Sequence, residues 1–289
     1  MRTVVFVPRR ECPQDTLKSH VRVSGGRCEW VVGALFPKEV TGILYRRGRA
    51  LAQVSIEARL LPEPGILART ASIMAEMNIR ILSLTFTSRG DRRYITAFID
   101  LTESKCTLEE LVDMLRRQEY TVRVMYSPAD LPGLIVDRHC FPLETLGGEM
   151  RALLIPVKVF SGIFADLKER YGRAMWAVAY HQGRLLGELV ARHVLKKLPG
   201  PPSKLMRELA RLYSAYGWGR MEVVGKGRVV IRDNFEVEGY ARSEEPVCHF
   251  TRGILSGGAS AIRGGEFEVE EVSCKAMGGE YCEFVLRRR

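Results

Sequence analysis

The sequence predicts a mixed α/β (α+β) protein of two domains, and three observations support this fold class. Residues 49–128 alternate between strand-like and helix-like patterns in the order β-α-β-β-α-β. From about residue 146 the pattern changes to long helices followed by short strands. Three of the seven cysteines lie close together near the C-terminus. A chain of 289 residues is long enough to build two separate hydrophobic cores.

Residues 1–48 are predicted to form a β-rich segment in which we recognise no motif. Its strand-like runs are separated by turn residues such as the Gly25-Gly26 pair. Cys12 and Cys28 have no second pair of ligands nearby, so we expect them to be plain thiols. The predicted strands are Thr3–Val7, Glu29–Phe36 and Thr41–Tyr45.

Residues 49–128 are predicted to fold as one domain. A Pro-Glu-Pro-Gly turn follows the first strand, and apolar residues then recur with helical spacing. Thr107 is a good N-cap for the second helix, because Glu109 and Glu110 follow it in the first turn. The β-α-β-β-α-β succession is the ferredoxin-like order. The predicted elements after the first turn are strands Ile79–Thr87 and Arg93–Leu101, helix Leu108–Arg117 and strand Tyr120–Tyr126, and the first strand is Leu51–Leu60.

This domain resembles an ACT domain, a small regulatory module that binds amino acids and similar metabolites. The resemblance rests on Pro64-Gly65-x-Leu67 at the first strand-to-helix turn and on Asn78-Ile79 at the start of the second strand. Gly65 permits a tight turn, and the amides that follow it at a helix N-terminus are donors for a carboxylate. The resemblance implies an amino-acid-like ligand at the turn, contacted by Glu63, Gly65, Ile66 and Leu67.

One position departs from the ACT pattern. The residue two before Pro64, usually acidic in the family, is Pro62. Recognition of an α-amine in the usual way is therefore not expected, although Glu63 lies next to this position. An ACT fold that serves only for dimerisation is the alternative.

Residues 129–145 are predicted to be a connector between the two domains. The Leu134-Ile135-Val136 run indicates that part of the connector packs against other residues. His139 and Cys140 are adjacent, which is poor geometry for chelating one metal ion, so we expect both to be structural.

Residues 146–289 are predicted to form the second domain. A helix over Phe160–Arg170 precedes a long helix over Arg173–Leu198. Gly183 and Gly187, four residues apart on the long helix, indicate that another element approaches its backbone closely. The remaining predicted elements are a helix over Leu205–Tyr216, strands Met221–Val224 and Arg228–Ile231, a short helix after Cys248 and a C-terminal hairpin that turns at Gly278-Gly279.

Cys248, Glu271, Cys274 and Cys282 are the strongest candidates for a chemical site. Their spacing is C-x22-E-x2-C-x7-C, and thiolates with one carboxylate suit tetrahedral zinc. In the predicted hairpin, Cys274 and Cys282 lie nearly opposite each other, with Cβ atoms about 5 Å apart. A shared metal ion, a disulfide and plain buried thiols all fit this spacing, which does not choose among them.

The second domain resembles a V4R (4-vinyl reductase-type) domain of the Bet3-like α/β fold. In the family's aromatic-sensing transcription regulators, Cys, Glu, Cys and Cys positions bind a structural zinc beside a buried small-molecule pocket. The resemblance therefore implies a zinc-bearing hairpin with Cys248, Glu271, Cys274 and Cys282 as ligands. The matching motifs are Tyr180-x2-Gly183-x3-Gly187, Gly217-Trp218-Gly219, Pro246-x-Cys248-x4-Gly253 and Glu271-x2-Cys274-x3-Gly278-x3-Cys282-x-Phe284.

Two residues compete with this ligand set. In a regular strand Glu270, not Glu271, shares a face with Cys274, so ligation by Glu271 requires a bulge or a local twist. Glu270 is therefore the alternative ligand. His249, next to Cys248, is a further candidate, but we expect it to have a surface or capping role.

The V4R resemblance also implies a pocket for an apolar or aromatic ligand. The candidate contacts are Trp176, Tyr180 and Trp218, although an aromatic stripe on a long helix is more often part of the core. The His and Trp that hold a ligand hydroxyl in the aromatic sensors have no recognisable equivalents, so aromatic alcohols are not implied. Met175, Met221 and Phe235 are further candidates for the lining.

The expected function is that of a non-catalytic, small-molecule-sensing regulatory protein, assembled as a homodimer and carrying a structural zinc. The sequence lacks a G-x-G-x-x-G after a strand, a P-loop and a recognisable Ser/His/Asp arrangement. A reductase acting on a vinyl or aromatic substrate is one alternative. An interaction, scaffold or nucleic-acid-binding protein is another, because the net charge is +10, although the basic residues are scattered.

We expect the protein to be cytoplasmic and not membrane-bound. The N-terminal apolar run is too short for a signal peptide, and no segment approaches the roughly 18 apolar residues of a membrane span. Thiols stay reduced in the cytosol, which favours metal binding over a disulfide. The charged, Arg-rich composition is typical of hyperthermophile proteins, whose cytosols do tolerate disulfides.

Overall fold

The computed structural model describes residues 4–8, 21–24, 27–31, 38–40, 42–62, 64–195, 198–225 and 227–289. These residues form two compact units, the first ending at Leu153 and the second beginning at Leu154. The fold is mixed α/β, as the sequence predicts. None of the helices in this part of the chain is both long and apolar enough to cross a membrane.

The N-terminal segment contributes a small antiparallel sheet of strands β1 (Val4–Pro8), β2 (Val21–Ser24) and β3 (Arg27–Val31). The strand order is β1-β3-β2. Strand β2 was not predicted, since four residues carry too little pattern to be recognised. Cys12 and the side chain of Cys28 lie outside the described part of the chain.

The first unit is built on a four-stranded antiparallel sheet with the strand order β6-β7-β5-β8. Its elements follow the chain as β-α-β-β-α-β, and both helices contribute to the core on one face of the sheet. Helix α2 begins at a capping box, in which the Thr107 side chain accepts the Glu110 N–H and the Glu110 carboxylate accepts the Thr107 N–H. The bounds are β5 Leu51–Arg59, α1 Ile66–Glu76, β6 Arg80–Arg89, β7 Arg92–Asp100, α2 Leu108–Arg116 and β8 Thr121–Pro128.

The other face of this sheet is partly covered by a two-stranded ribbon, β4 (Ile43–Tyr45) paired with β9 (Leu134–Val136). Leu44 and Ile135 of the ribbon form a small apolar cluster with Leu51 and Phe98 of the sheet. The predicted packing of the Leu134-Ile135-Val136 run therefore has this physical basis.

Polar side chains bind the residues after β9 to the sheet, on the face that the ribbon partly covers. Gln53, which is fully buried, donates to the Asp137 carboxylate at 2.6 Å. The His139 ring lies between two hydroxyls, with Nδ1 at 2.9 Å from Ser55 Oγ and Nε2 at 3.0 Å from Ser127 Oγ. Most of the predicted connector is thus an integral part of the first unit.

The first unit extends past residue 145, where the sequence predicts the second domain to begin. Strands β10 (Glu144–Thr145) and β11 (Met150–Arg151) pair across a short 3-10 turn, Leu146–Gly148. This pairing keeps residues 146–153 with the first unit.

In its described residues, the second unit combines four α-helices with a four-stranded antiparallel sheet in the order β12-β13-β15-β14. The predicted long helix ends early, because α4 stops at Val190 and a π-helical turn, Ala191–Leu195, follows it. The bounds are α3 Val157–Tyr171, α4 Arg173–Val190, α5 Pro202–Ala215, β12 Arg220–Val224, β13 Arg228–Arg232, α6 His249–Arg263, β14 Phe267–Ser273 and β15 Cys282–Arg288.

Helices α4 and α6 are in backbone contact through glycines. A Cβ added at Gly183 would lie 2.0 Å from the Phe250 carbonyl oxygen, and one at Gly187 would lie 2.1 Å from that of Ile254. On α6, a Cβ at Gly253 would lie 2.1 Å from the Tyr180 carbonyl oxygen. These distances explain why glycine occupies these positions, and the close approach predicted from Gly183 and Gly187 is confirmed.

Candidate metal centre

Cys248 lies at the N-cap of α6, with its thiol in the interior of the second unit. Its side chain is fully buried and lies 3.5 Å from Cys282 Sγ and 4.0 Å from Cys274 Sγ. No side-chain hydrogen bond caps the helix from this residue. Cys248 thus directly precedes α6 as its N-cap, while its thiol remains available to the other cysteines.

Glu271 and Cys274 come together through an irregularity in β14. The pairing of β14 with β15 shifts register between Glu271 and Ser273. The extra residue reverses the alternation of side chains, so that Glu271 and Cys274 face the same side. This is the bulge that ligation by Glu271 requires.

Cys282 is the first residue of β15, which pairs with β13 through Cys282 and Ile231. The chain reaches it from Cys274 by a 3-10 turn, Lys275–Met277, and by Gly278, whose φ of 99° is in the left-handed region. The hairpin therefore turns near Gly278, the first residue of the predicted Gly278-Gly279 pair.

The four candidate ligands meet at one point. One oxygen of Glu271 and the three sulfurs all lie within 4.8 Å of one another. Zn–S bonds of about 2.3 Å at tetrahedral angles place two sulfurs about 3.8 Å apart, which agrees with the distances from Cys248. All three thiols are free, and a disulfide needs a bond of about 2.05 Å. The residues therefore fit a closed tetrahedral metal site.

The pKa shifts and the unpaired oxygen in the cluster also favour a bound cation. Burial, together with the neighbouring Cys274, raises the pKa of Glu271 to about 9. Burial also raises the pKa of Cys248, whereas hydrogen bonds from the Cys248 and Cys282 thiols lower that of Cys274. One Glu271 carboxylate oxygen is buried without a hydrogen-bond partner. Such an oxygen is costly unless a cation faces it.

The two competing ligands lie elsewhere. Glu270 faces the opposite side of the strand, where it is exposed and paired with Arg287 at 3.0 Å. His249 is buried and stacks on Trp176 with ring centroids 4.4 Å apart, so the surface role expected for it is wrong. Burial lowers the pKa of His249 to about 4.

The three pocket candidates have different neighbours in the described structure. Trp176 stacks on His249, and Trp218 packs against Tyr213 and Phe235. Tyr180 donates to Ser256 Oγ and lines a cavity of about 250 Å³. The polar residues around that cavity include His181, Arg184, Glu266 and Arg289.

The further lining candidates, Met175, Met221 and Phe235, also lie in different surroundings. Phe235 and Met221 are buried in the core of the second unit, and Met175 is half-buried in the first turn of α4. Phe235 and Met221 therefore support the core in the described structure.

The predicted turn of the first unit is described in part. Gly65 has a φ of 146° and is the N-cap of α1. Ile66 is buried, and Leu67 is 38% exposed. Glu63 lies outside the described residues.

Sequence reasoning missed Glu236, the carboxyl group that contacts α6 next to the cluster. It is 1% exposed and accepts the backbone N–H groups of Phe250 and Thr251 at 2.8 and 2.9 Å. Burial raises its pKa to about 7. The one available signal is the missing capping side chain at Cys248, which requires an acceptor from elsewhere in the chain.

Comparison with known proteins identifies the C-terminal part of the chain. Residues 228–288 match the family model of the V4R domain, which confirms the V4R resemblance there. An uncharacterised protein of Methanocaldococcus jannaschii is 30% identical over 86 residues, which are 29% of this chain and 53% of that protein. The chain thus spans about half the length of this curated relative.

Among solved structures, the chain is similar to the phenol-responsive sensory domain of the transcription activator PoxR, at 18% identity and a TM-score of 0.44, over 49% of this chain and 78% of that one. It is also similar to a vinyl-4-reductase family protein from Methanocaldococcus jannaschii, at 20% identity and a TM-score of 0.36, over 48% and 84%. The ACT domain of GTP pyrophosphokinase of Chlorobium tepidum has 17% identity and a TM-score of 0.23, over 27% and 99%. The ACT assignment of residues 49–128 stays a prediction.

Proposed function

We propose that this chain is a non-catalytic, small-molecule-sensing regulatory protein whose V4R domain carries a structural zinc. The observation that supports it best is the convergence of Cys248, Glu271, Cys274 and Cys282, with one ligand atom from each within 4.8 Å of the others. Three sulfurs with one carboxylate oxygen favour zinc over magnesium or calcium, which prefer oxygen ligands.

The zinc would be structural because the protein supplies all four ligands. A closed tetrahedral shell leaves no position for a reactive water, so the ion contributes folding energy. Cys248 begins α6 and the other three ligands belong to the C-terminal hairpin, so the ion would join these elements.

Elemental analysis of protein purified without added metal tests the zinc site. We expect about one zinc per chain, and loss of most of it in Cys274→Ser, because three ligands hold the ion far more weakly than four. Cys140→Ser is the matched control, since that thiol lies outside the cluster and contacts Thr96. A wild type without zinc, or an equal loss in both variants, contradicts the site.

The sensing role is supported by the V4R match and by the lack of a recognisable catalytic arrangement in the sequence. The ligand would be apolar or aromatic in the V4R domain, or amino-acid-like at the Gly65 turn. A thermal-shift screen of the zinc-loaded protein with apolar aromatic compounds and amino acids tests this. Stabilisation by a compound of either class supports sensing, and no shift from either contradicts it.

We also propose the domain order expected from the sequence: a β-rich segment (1–48), an ACT-like domain (49–128), a connector (129–145) that packs on the ACT-like domain, and a V4R domain (predicted as 146–289), with the boundary between the two compact units after Leu153. The β-α-β-β-α-β order and the strand order β6-β7-β5-β8 support the ACT-like fold. Assembly as a homodimer and a cytoplasmic location belong to the same proposal.

A further inference from the structure

The first turn of α6 has no capping side chain of its own. The N-cap residue of a helix usually supplies a side-chain oxygen to the N–H groups of the second or third helical residue. Here the N-cap is Cys248, which makes no such bond and whose thiol faces Cys274 and Cys282. The N–H groups left over belong to Phe250 and Thr251, which are buried, so they need an acceptor within the protein.

Glu236 supplies both acceptors. One carboxylate oxygen accepts the Phe250 N–H at 2.8 Å, and the other accepts the Thr251 N–H at 2.9 Å. Glu236 lies in a 3-10 turn, Phe235–Gly239, and its side chain is 1% exposed. Fully buried glutamates are rare unless they are paired, so the double hydrogen bond accounts for this one.

A second contact fixes the same turn of α6 to the same segment. The Tyr213 hydroxyl donates to Asn234 Oδ1 at 2.6 Å and lies 3.1 Å from Thr251 Oγ1. Tyr213, Asn234 and Thr251 are all buried. The segment that carries Glu236 is therefore held against the N-terminus of α6 by side chains as well as by the carboxylate.

Cys248 lies between two sets of contacts: those of Glu236 with the first turn of α6, and those of the candidate metal site. The Cys248 N–H donates to Glu271 at 3.1 Å, and the N–H groups of Phe250 and Thr251, two and three residues further along, donate to Glu236. The Cys248 backbone is thus restrained at both ends. Release of a bound ion requires a thiolate to move away, and this restraint opposes that movement at Cys248.

We propose that Glu236 is a positioning residue of the metal centre: it replaces the missing N-cap of α6 and so holds Cys248 in place to ligate the ion. The inference rests on the proposed zinc site. Outer residues that orient metal ligands typically change metal affinity by about 10- to 100-fold when they are substituted. Glu236 would act through the backbone of α6, with no contact to the ion.

The test compares zinc release from the intact, zinc-loaded protein to a chromophoric chelator in wild type and Glu236→Gln. Glutamine has a similar size, but it offers one acceptor and turns an NH2 group toward the second N–H. We expect release to be at least about 10-fold faster. Glu238→Gln is the matched control, because Glu238 lies in the same 3-10 turn and is exposed, and its release rate should equal that of wild type.

Two further measurements separate positioning from general loss of stability. Leu209→Ala removes a buried side chain of α5 that contacts α6 near Gly258, about 15 Å along the helix from Cys248. This variant should lose stability and keep the wild-type release rate. After substitution with cobalt(II), the thiolate-to-metal absorption bands should change in Glu236→Gln and not in Leu209→Ala.

Each outcome decides the matter. An unchanged release rate in Glu236→Gln, or an equal acceleration in Leu209→Ala, overturns the inference while the zinc site stands. A wild type without zinc overturns the proposed site and the inference together. If Glu236→Gln does not fold, Tyr213→Phe replaces it, since that variant loses the hydroxyl donated to Asn234 and should release zinc severalfold faster; an unchanged rate there overturns the inference.

Discussion

At Glu271 the two carboxylate oxygens have different surroundings. One accepts the Cys248 N–H, and the other is buried without a partner. Burial and the nearby Cys274 raise the pKa of this carboxyl group to about 9, which favours its protonated form when no cation is present. A divalent ion at the cluster would reverse that balance, and its binding would release protons from the glutamate and the thiols.

His139 gives the first unit a dependence on pH. Burial lowers the pKa of this imidazole from its ordinary value of 6.5; Asp137 acts in the opposite direction, and Arg138 in the same one. His139 therefore binds a proton near pH 6.5 in the unfolded chain, whereas in the folded chain it binds a proton only at lower pH. The contribution of His139 to stability is complete above pH 6.5 and is lost as the pH falls toward the lowered pKa.

We expect His139→Gln to reduce the loss of stability on acidification. The measurement is the free energy of unfolding in urea at about pH 8 and about pH 5, one above and one below the ordinary histidine pKa. His193→Gln is the control, because His193 is exposed on a helix of the other unit. An identical acid dependence in wild type and His139→Gln would contradict the assignment.

Individual residues differ in how far the sequence reveals them. The spacing of the four ligands is visible in the chain, and the period-two rule already requires the bulge between Glu271 and Cys274. Glu236 is not visible, because its partners are 14 and 15 residues away and its burial depends on tertiary packing. His249 was misjudged, since no local pattern reveals that its ring stacks on Trp176.

At the scale of elements, the glycines between α4 and α6 set how closely the two helices approach. The four backbone contacts at Gly183, Gly187, Gly253 and Gly257 leave no room for a methyl group. Gly257 is the tightest, because a Cβ there would lie 1.9 Å from the Arg184 carbonyl oxygen. A side chain at any of them must push the helices apart, since a backbone oxygen cannot rotate away.

We expect Gly253→Ala to destabilise the second unit by about 1–3 kcal/mol or more, because its Cβ meets the Tyr180 backbone. Gly162→Ala is the control: Gly162 lies in α3 with nothing within 4 Å of an added Cβ. The control should gain about 0.5–1 kcal/mol from helix propensity. Urea unfolding of both variants measures the difference, and equal stabilities would contradict the close approach.

Most elements could be predicted because their patterns are local. Helix α2 begins at Leu108 as predicted from Thr107, and β5 begins at Leu51 as predicted from its alternation. The end of α4 could not be predicted, because the apolar spacing continues through the π-helical turn at Ala191–Leu195. The pairing of β4 with β9 was also out of reach, since about 90 residues separate these three-residue strands.

At the scale of the whole molecule, the two units have separate cores. The core of the first unit centres on Ile56, Ile99 and Leu111, and that of the second on Ile231, Leu255 and Phe284. The candidate metal ligands Cys248, Cys274 and Cys282 belong to the second core alone. Removal of an ion should therefore weaken the second unit and leave the interior of the first unchanged.

Calorimetry of the intact protein tests this separation. A chelator should lower one unfolding transition by more than about 5 °C, because metal-binding energy is folding energy, and should leave the other in place. In Cys274→Ser the chelator should move neither transition. Equal shifts of both transitions in wild type would contradict independent cores.

The ribbon of β4 and β9 also limits how the first unit can pair with another copy of itself. Phe98, under the ribbon, is 3% exposed, whereas Tyr94, two pairs along β7 on the same face, is 39% exposed. The ribbon therefore covers the part of the sheet around Phe98. A second subunit could otherwise pack on this part of the sheet. A symmetric assembly built on this unit can use the outer strands β6 and β8, the helices or the uncovered end of this face near Tyr94, but not the part under the ribbon, and mutations that disrupt it should be sought accordingly.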